Sequence, residues 1–582
     1  MAGGLLRLER RGASHEAASS ARGRRRAAAP AKSGGTGEST PRGVVLGGLL
    51  QAAAALIWIP QAALIAFSIG RLANGAVLAD ILPAAAGLAA LGIARALLDG
   101  AGARLAFRAA RAELTHLRAR AAEALAGRSP LDTGRMASGA AASALAEQAE
   151  AVVPYLSRFV PARQRMGIVP LAILAAVLPF SWVPALLLAV AAPLIPLFMA
   201  LVGWRAKAAS EEQMAEVGGM NGFLLDRLRG LATIRALDAV DLTARRLRAN
   251  ADGVKARTMA VLRIAFLSSA VLELFSALGV AMVAVYVGFH LLGDLGFGAW
   301  GARLSLGEGL FILMLAPAFF EPLRDFAGAW HDRASGRAAF EALEALAGDG
   351  LPLPGAHFAA EASVMPATAR GALAVRLKDV GLVHAGRASP VLAGLDLHIR
   401  AGERVALLGP SGVGKTSLLA VIAGLAPGSG DIIIDGTRLS DATAPALRRR
   451  IGFVGQAPHI FAGTLAGNIL LGRPGFGPDA LDAAIAGAAL PPGTPSHCAV
   501  GEGGAGFSGG EVRRIALARA ALDPCVGLIL ADEPTAHLDA ETAAAVTQAL
   551  LTFAEGRTLI VATHDPVLAA RMDRVIRLGG AA

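Results

Sequence analysis

The sequence predicts two unlike halves: a helical membrane domain of about six spans, then an α/β domain. Three observations carry this. Hydrophobic residues make up 54% of the 582 and charged residues only 17%, an apolar excess unusual for a water-soluble chain of this length. Long uncharged runs fill the first half, beginning with residues 43–70 between Arg42 and Arg71. Beyond residue 372, short apolar runs alternate with helical stretches, the pattern of an α/β fold.

The spans follow in order. Residues 1–42 are rich in Arg, Ala, Gly and Ser, with Arg24-Arg25-Arg26, and lack the apolar core and cleavage site of a secretory signal, so a disordered basic cytoplasmic tail is expected. After 43–70, residues 76–107 form a second span containing Asp80, Arg95 and Asp99. Residues 168–204 are too long for one crossing and divide at Pro179-Phe180-Ser181-Trp182. Residues 265–293 and 304–327 complete the set, giving a transmembrane domain over 43–335. The turns after spans one, three and five carry Arg71, no cation and Arg303, whereas 108–152 and 205–262 are dense in Arg. By the positive-inside rule the tail, the long segments and the C-terminus are cytoplasmic. Those rules also give the net charge of +10 its simplest source, basic cytoplasmic loops without nucleic acid. The two cysteines, Cys498 and Cys525, lack metal-ligand spacing and read as reduced thiols.

Residues 336–372, with Pro352, Pro354 and Pro366, read as a linker, and 373–582 as a nucleotide-binding domain. VALLGPSGVGKTSLLA (405–420) runs strand, loop, helix through Gly409-Pro410-Ser411-Gly412-Val413-Gly414-Lys415-Thr416, followed by Ser417. This is a P-loop: glycines let backbone N–H groups curl around phosphate, the helix N-terminus favours the anion, Lys415 reaches the phosphates and Thr416 ligates Mg²⁺. VGLILADE (526–533) is a buried strand ending in two acids. Asp532 suits the Mg²⁺ shell and Glu533 suits a general base toward water.

Phe507-Ser508-Gly509-Gly510-Glu511 between these motifs resembles the ABC signature, and the chain is similar to ABC transporters over the motif set. By that resemblance Gln456 in FVGQAPHIF is the Q-loop residue, a catalytic and metal-side contact, and His564 in VATHD is the γ-phosphate switch. Asp539 belongs to the D-loop, and His384 stands where the family stacks an aromatic on adenine. The resemblance implies that ATP is sandwiched between the P-loop of one chain and the signature Ser508, Gly509, Gly510 and Glu511 of another, so two chains are needed. Glu511 replaces the usual glutamine, and the stretch from Pro491 to Cys498 is shorter than the family pattern.

Three blocks in the membrane half, 223–237, 258–289 and 315–336, resemble the CydD family, subunits of a heterodimeric exporter of the bacterial inner membrane. That resemblance implies a CydC-like partner, export of cysteine or glutathione or movement of haem, and a role in cytochrome bd assembly. A homodimeric exporter of lipid or drug-like substrates is the alternative. Inside the spans, Glu273 stands either on a polar transport path or in a structural hydrogen bond, and His290 either at the interface or as a haem-iron ligand. Glu321 and Arg324, three apart on a helix, are expected to pair with each other.

Overall fold

In a computed structural model, the residues described are 40–578, apart from 194–219, 221–222, 225–226, 229, 301–302, 357–370, 384–389 and 502–503 and single positions 137, 349 and 492. The expected halves are both present. Five helical stretches are long and apolar enough to cross a membrane: Arg42–Ala73, Ala79–Ala126, Ser138–Val177, Ala270–Leu292 and Leu306–Ala347. A sixth, shorter apolar helix, Trp182–Pro193, leads into 194–219, so the rest of the expected fourth span lies outside the described residues, as does the basic tail.

Local sequence explains how the helices start, bend and stop. The first span breaks at Ile57 into Arg42–Leu56 and Trp58–Ala73, because Pro60 has no N–H to offer the Leu56 carbonyl. The helix Leu306–Gly328 opens on a capping box: Ser305 Oγ accepts from Glu308 N and Glu308 Oε2 accepts from Ser305 N at 2.7 Å. The helix Val240–Leu292 stops at Gly293, which takes φ +90°. That helix has 53 residues and Leu82–Ala126 has 45; at ~1.5 Å per residue both far exceed a ~30 Å hydrocarbon core and continue out of it. The first two spans pack through glycine. A Cβ on Gly47 would meet Gly102 O at 2.6 Å, and one on Gly102 would meet Gly47 O at the same distance, so only small residues let these backbones approach.

The turns alternate between two ends. Ser181, fully buried, donates to Gly298 O at 2.6 Å, and Trp182 N donates to the same carbonyl. Phe67 packs on Phe180 and Phe311. The turns after spans one, three and five therefore meet at one end. At the other, the turn after Leu82–Ala126 touches the nucleotide-binding domain: Ser129 Oγ donates to Leu425 O at 2.6 Å and accepts from Leu131 N, and Leu131 packs on that domain's core. A short segment clasps both parts. Leu353 N donates to Gly127 O, Gly355 N to Asp441 Oδ1, and Arg448 Nη1 to Pro354 O. The helix Trp330–Ala347 buries Ala339, Leu343 and Leu346, so ordered helix runs past Gly336, where the sequence suggests linker.

The pairing expected of Glu321 and Arg324 does not form. Arg324 instead reaches Glu273 on the neighbouring helix at 3.5 Å, because its long guanidinium side chain extends laterally to the helix packed beside it. His290 is 2% exposed; its ring lies against Tyr286, and neither ring nitrogen has a partner among the described residues.

The nucleotide-binding domain has strands β1 (Val375–Leu382), β2 (Leu392–Ile399), β3 (Arg404–Leu408), β4 (Ser429–Ile434), β5 (Thr437–Arg438), β6 (Ile451–Val454), β7 (Gly463–Thr464), β8 (Ala499–Val500), β9 (Leu528–Asp532), β10 (Thr558–Thr563) and β11 (Arg574–Arg577). They form a parallel sheet, β11-β3-β10-β9-β6, an antiparallel sheet, β2-β1-β4-β5, and the pair β7-β8. The strands that matter below are β3, β6, β9 and β10. The last two are buried throughout, as expected of strands covered on both faces.

Ser129→Ala should lower the stability of the docked pair by about 1–2 kcal/mol, since it orphans the Leu131 N–H and a buried carbonyl. The expected readout is weaker coupling: ATPase stimulation by cargo falls while nucleotide binding is kept. Wild-type stimulation in the variant would show that this hydrogen bond does not join the two domains' motions.

Candidate functional site

Strand register builds the site. In the parallel sheet Leu408 pairs with Thr563, Ala562 with Asp532, and Ala531 with Val454. The residues just past these strand ends, Gly409, His564, Glu533 and Gln456, therefore arrive at one edge, where α/β sheets bind ligands.

Between β3 and the helix Lys415–Ile422, the loop turns on Gly412 (φ +83°) and Gly414 (φ +100°), left-handed values that glycine adopts without strain. Lys415 is buried. Its Nζ donates to Gly409 O at 2.7 Å and Pro410 O at 3.2 Å and lies 3.7 Å from Glu533 Oε1. Glu533, 8% exposed, holds φ +47°, an uncommon backbone state for a carboxylate-bearing residue. Three groups fix its Oε2: the His564 ring Nδ1 at 2.8 Å, the His564 N–H at 3.4 Å and the Thr563 hydroxyl at 3.5 Å. Asp532 is 2% exposed, and its Oδ1 has no hydrogen-bond partner among the described residues. Burial pushes the Asp532 carboxyl up from its ordinary value, with the Glu533 charge adding to the rise; the Thr416 hydroxyl and Lys415 partly oppose it.

A cavity of about 550 Å³ opens over this edge, large enough for a nucleotide. Ser411, Gly412, Gly414, Lys415, Thr416, Ser417, Gln456 and Glu533 line it, so most of the expected phosphate-side residues converge. Gly409 and Pro410 stand behind it as the carbonyls that hold Lys415. Val413 lies in the same loop, its Cγ1 against Gly409. His384 lies outside the described residues.

The structure does not bring the signature to this cavity. Ser508 caps the helix Gly509–Ala521, where its Oγ accepts from Glu511 N at 3.2 Å and its N donates to Glu511 Oε2 at 2.7 Å. The acid that replaces glutamine thus closes a capping box. A Cβ on Gly510 would collide with the Thr542 methyl. Asp539 caps the next helix, Ala540–Phe553, accepting from Thr542 N at 2.9 Å, and those backbone hydrogen bonds hold its carboxyl below the usual range. One chain therefore presents a phosphate cradle in one place and a signature helix start in another.

Two groups of lining residues escape motif reading. Val391 borders the P-loop, and Pro130, Leu131, Asp132 and Thr133 arrive from the membrane domain. The one signal for the latter was the Ser-Pro…Asp-Thr-Gly turn chemistry at 129–134 interrupting an Arg-rich helical stretch.

Asp532→Asn removes this raised carboxyl. A carboxyl whose folded pKa is raised contributes stability below its unfolded value, near ~3.9, and loses it as pH rises through the folded value. The nucleotide-free wild type should thus lose stability upward from about that pH, and the variant should lack that part of the slope. At neutral pH the variant should unfold a few degrees higher, about 1 kcal/mol, while binding of nucleotide with Mg²⁺ weakens. Calorimetry at acid and neutral pH checks this; an equal pH slope in both proteins would contradict the burial account.

Similarity to known proteins agrees with this architecture. Residues 392–536 match the ABC transporter family and 44–323 match the ABC transporter transmembrane region. The chain is 36% identical over 484 residues to "Transport ATP-binding protein AarD" of Providencia stuartii, covering 82% of this chain and 81% of that one. It is 34% identical over 473 residues to the "Glutathione/L-cysteine transport system ATP-binding/permease protein CydD" of Haemophilus influenzae, covering 81% and 79%. The fold matches the structure of a bacterial Atm1-family ABC exporter with ATP bound, with a TM-score of 0.68 at 21% identity over 92% of this chain and 94% of that one. The chain belongs to the ABC transporter family, in its CydD group, as a polytopic membrane protein that couples ATP hydrolysis to transport.

Proposed function

We propose that this chain is the CydD-type half of a heterodimeric exporter of the bacterial inner membrane that moves a small thiol, cysteine or glutathione, out of the cytoplasm. Its likeness over four fifths of its length to a relative named for glutathione and L-cysteine transport carries the cargo assignment. The separation of the phosphate cavity from Ser508–Glu511 within one chain supports a requirement for a second nucleotide-binding domain. In this reading the termini and the turn at 127–137 are cytoplasmic, cytochrome bd assembly depends on the exported reductant, and haem is a second candidate cargo.

Each residue's task at the ATP site follows from its place. Lys415 exchanges its carbonyl partners for phosphate oxygens. The unpartnered Asp532 Oδ1, the Thr416 hydroxyl beside it and the Gln456 amide form an all-oxygen set that fits Mg²⁺. When bound, that ion neutralises phosphate charge. Glu533 orients water toward the γ-phosphorus and takes its proton as the bond to the bridging oxygen breaks and ADP leaves. His564, hydrogen-bonded to Glu533, keeps the carboxylate aimed and is placed to sense the γ-phosphate. A partner's signature helix start caps the nucleotide from the opposite side.

Glu533→Gln should retain ATP binding and lower hydrolysis at this site by roughly 10²-fold or more. The measurement is turnover by the complex with its other site disabled; unchanged turnover would remove Glu533 as the base. Lys415→Ala should weaken nucleotide binding itself by about tenfold or more, read by direct titration. In cells, deleting this chain should reduce the spectral haem d signal, and the Glu533→Gln protein should fail to restore it. Restoration by that inactive version would separate the cytochrome defect from ATP-driven export.

A further inference from the structure

A second cavity, of about 590 Å³, lies in the membrane domain between the first, second, third and last spans. Trp58, Val169, Met314 and Pro317 give it an apolar wall. Three cations (Arg95, Arg165, Arg324) and three carboxylates (Asp99, Glu321, Asp325) also line it. Some of these charges are already matched. Arg165 pairs with Asp325 at 2.7 Å, and Arg324 pairs with Glu273 at 3.5 Å. Arg95 lies over the Trp58 ring, 5.6 Å from its centroid, and makes no ion pair with a described residue. Asp99 and Glu321 have no hydrogen bond or ion pair with any described residue.

Depth makes these three groups informative. At ~1.5 Å per residue, Glu321 stands about 22 Å along its helix from the Leu306 end, inside the apolar stretch that crosses the membrane. An unpaired ionisable group at that depth costs several kcal/mol unless it faces a water-filled path or a ligand of opposite charge. The charges left over after internal pairing are one guanidinium and two carboxylates. They suit a molecule carrying both signs, and the volume lies in the range of small-molecule sites. A dianionic porphyrin or a polyphosphorylated lipid offers anions to the one free guanidinium but no cation to the two free carboxylates, and gains little.

We infer that this cavity is the cargo site and takes a small zwitterion, an amino-acid or peptide thiol, with Arg95 facing a carboxylate and Asp99 and Glu321 facing the ammonium. The thiol part rests on the transport reading above; the zwitterion part rests on the cavity.

The test uses the full complex with its partner in proteoliposomes and reads half-maximal cargo concentration for ATPase stimulation. The probes are glutathione, its diethyl ester, its N-acetyl form and S-methylglutathione. In wild type, blocking the carboxylates or the ammonium should weaken the response by about tenfold or more, and S-methylation should leave it within about threefold. Arg95→Gln should erase the advantage of glutathione over the ester, and Asp99→Asn or Glu321→Gln its advantage over the N-acetyl form. Because each comparison sets two ligands against one protein, a poorly folded variant lowers both and leaves the ratio readable. Unchanged ratios in all three variants overturn the assignment. Stimulation by S-methylglutathione but by no free thiol upholds the cavity and overturns the thiol reading. A complex deaf to every zwitterion overturns both.

Discussion

The buried carboxylate pair at the end of β9 is the constraint around which the nucleotide-binding domain is organised. Two adjacent acids in a nearly dry pocket repel each other and lose hydration, and one buried cation, Lys415, stands between them and the P-loop carbonyls. Such an arrangement is tolerable only if backbone and sheet hold every member in place. Parallel pairing of β9 with β10 and β6 does this, because it fixes His564 and Gln456 relative to Glu533 to within one residue of register. The positive φ at Glu533 is the local strain that aims the acid into the cavity.

Communication with the membrane domain runs through a small polar contact. Ser129 and the residues after it touch both the domain core and the rim of the nucleotide cavity. The segment at 351–356 ties the same turn to Asp441 and Arg448. The turn at 127–136 that follows the helix Leu82–Ala126 thus contacts both the domain core and the cavity rim. The helix Leu82–Ala126, with 45 residues, is long enough to extend well beyond a bilayer core.

Within the bilayer, the helices pack by two separate means. Glycine pairs such as Gly47 and Gly102 bring the first two spans into backbone contact. Buried aromatic rings, Phe319 and Phe320 among them, fill the bundle near the last span. Where charges enter the bundle, they pair across helices or line a cavity. Arg324 and Arg165 do both, pairing with Glu273 and Asp325, whereas Arg95, Asp99 and Glu321 line the cavity without an ion pair to a described residue.

The sequence by itself determined the two-part architecture and its long apolar helices, and it pointed to the residues that converge at the sheet edge. Each of these is written in contiguous patterns: apolar runs as long as a bilayer is thick, and a glycine loop joining strand to helix. It also marked Glu533 and His564, though some thirty residues apart, through the strand that precedes each. What only the tertiary structure decided was which distant groups meet. Spacing three apart on a helix suggested Glu321 with Arg324, yet the partner came from another helix, because a long guanidinium side chain reaches laterally once helices pack. The near-complete burial of His290 was likewise not legible from its place near a span end. The contribution of Pro130 to Thr133 to the nucleotide cavity was equally invisible, since nearly three hundred residues separate that turn from the P-loop and only docking of the two domains joins them. Local periodicity encodes elements, whereas these contacts depend on how the elements pack.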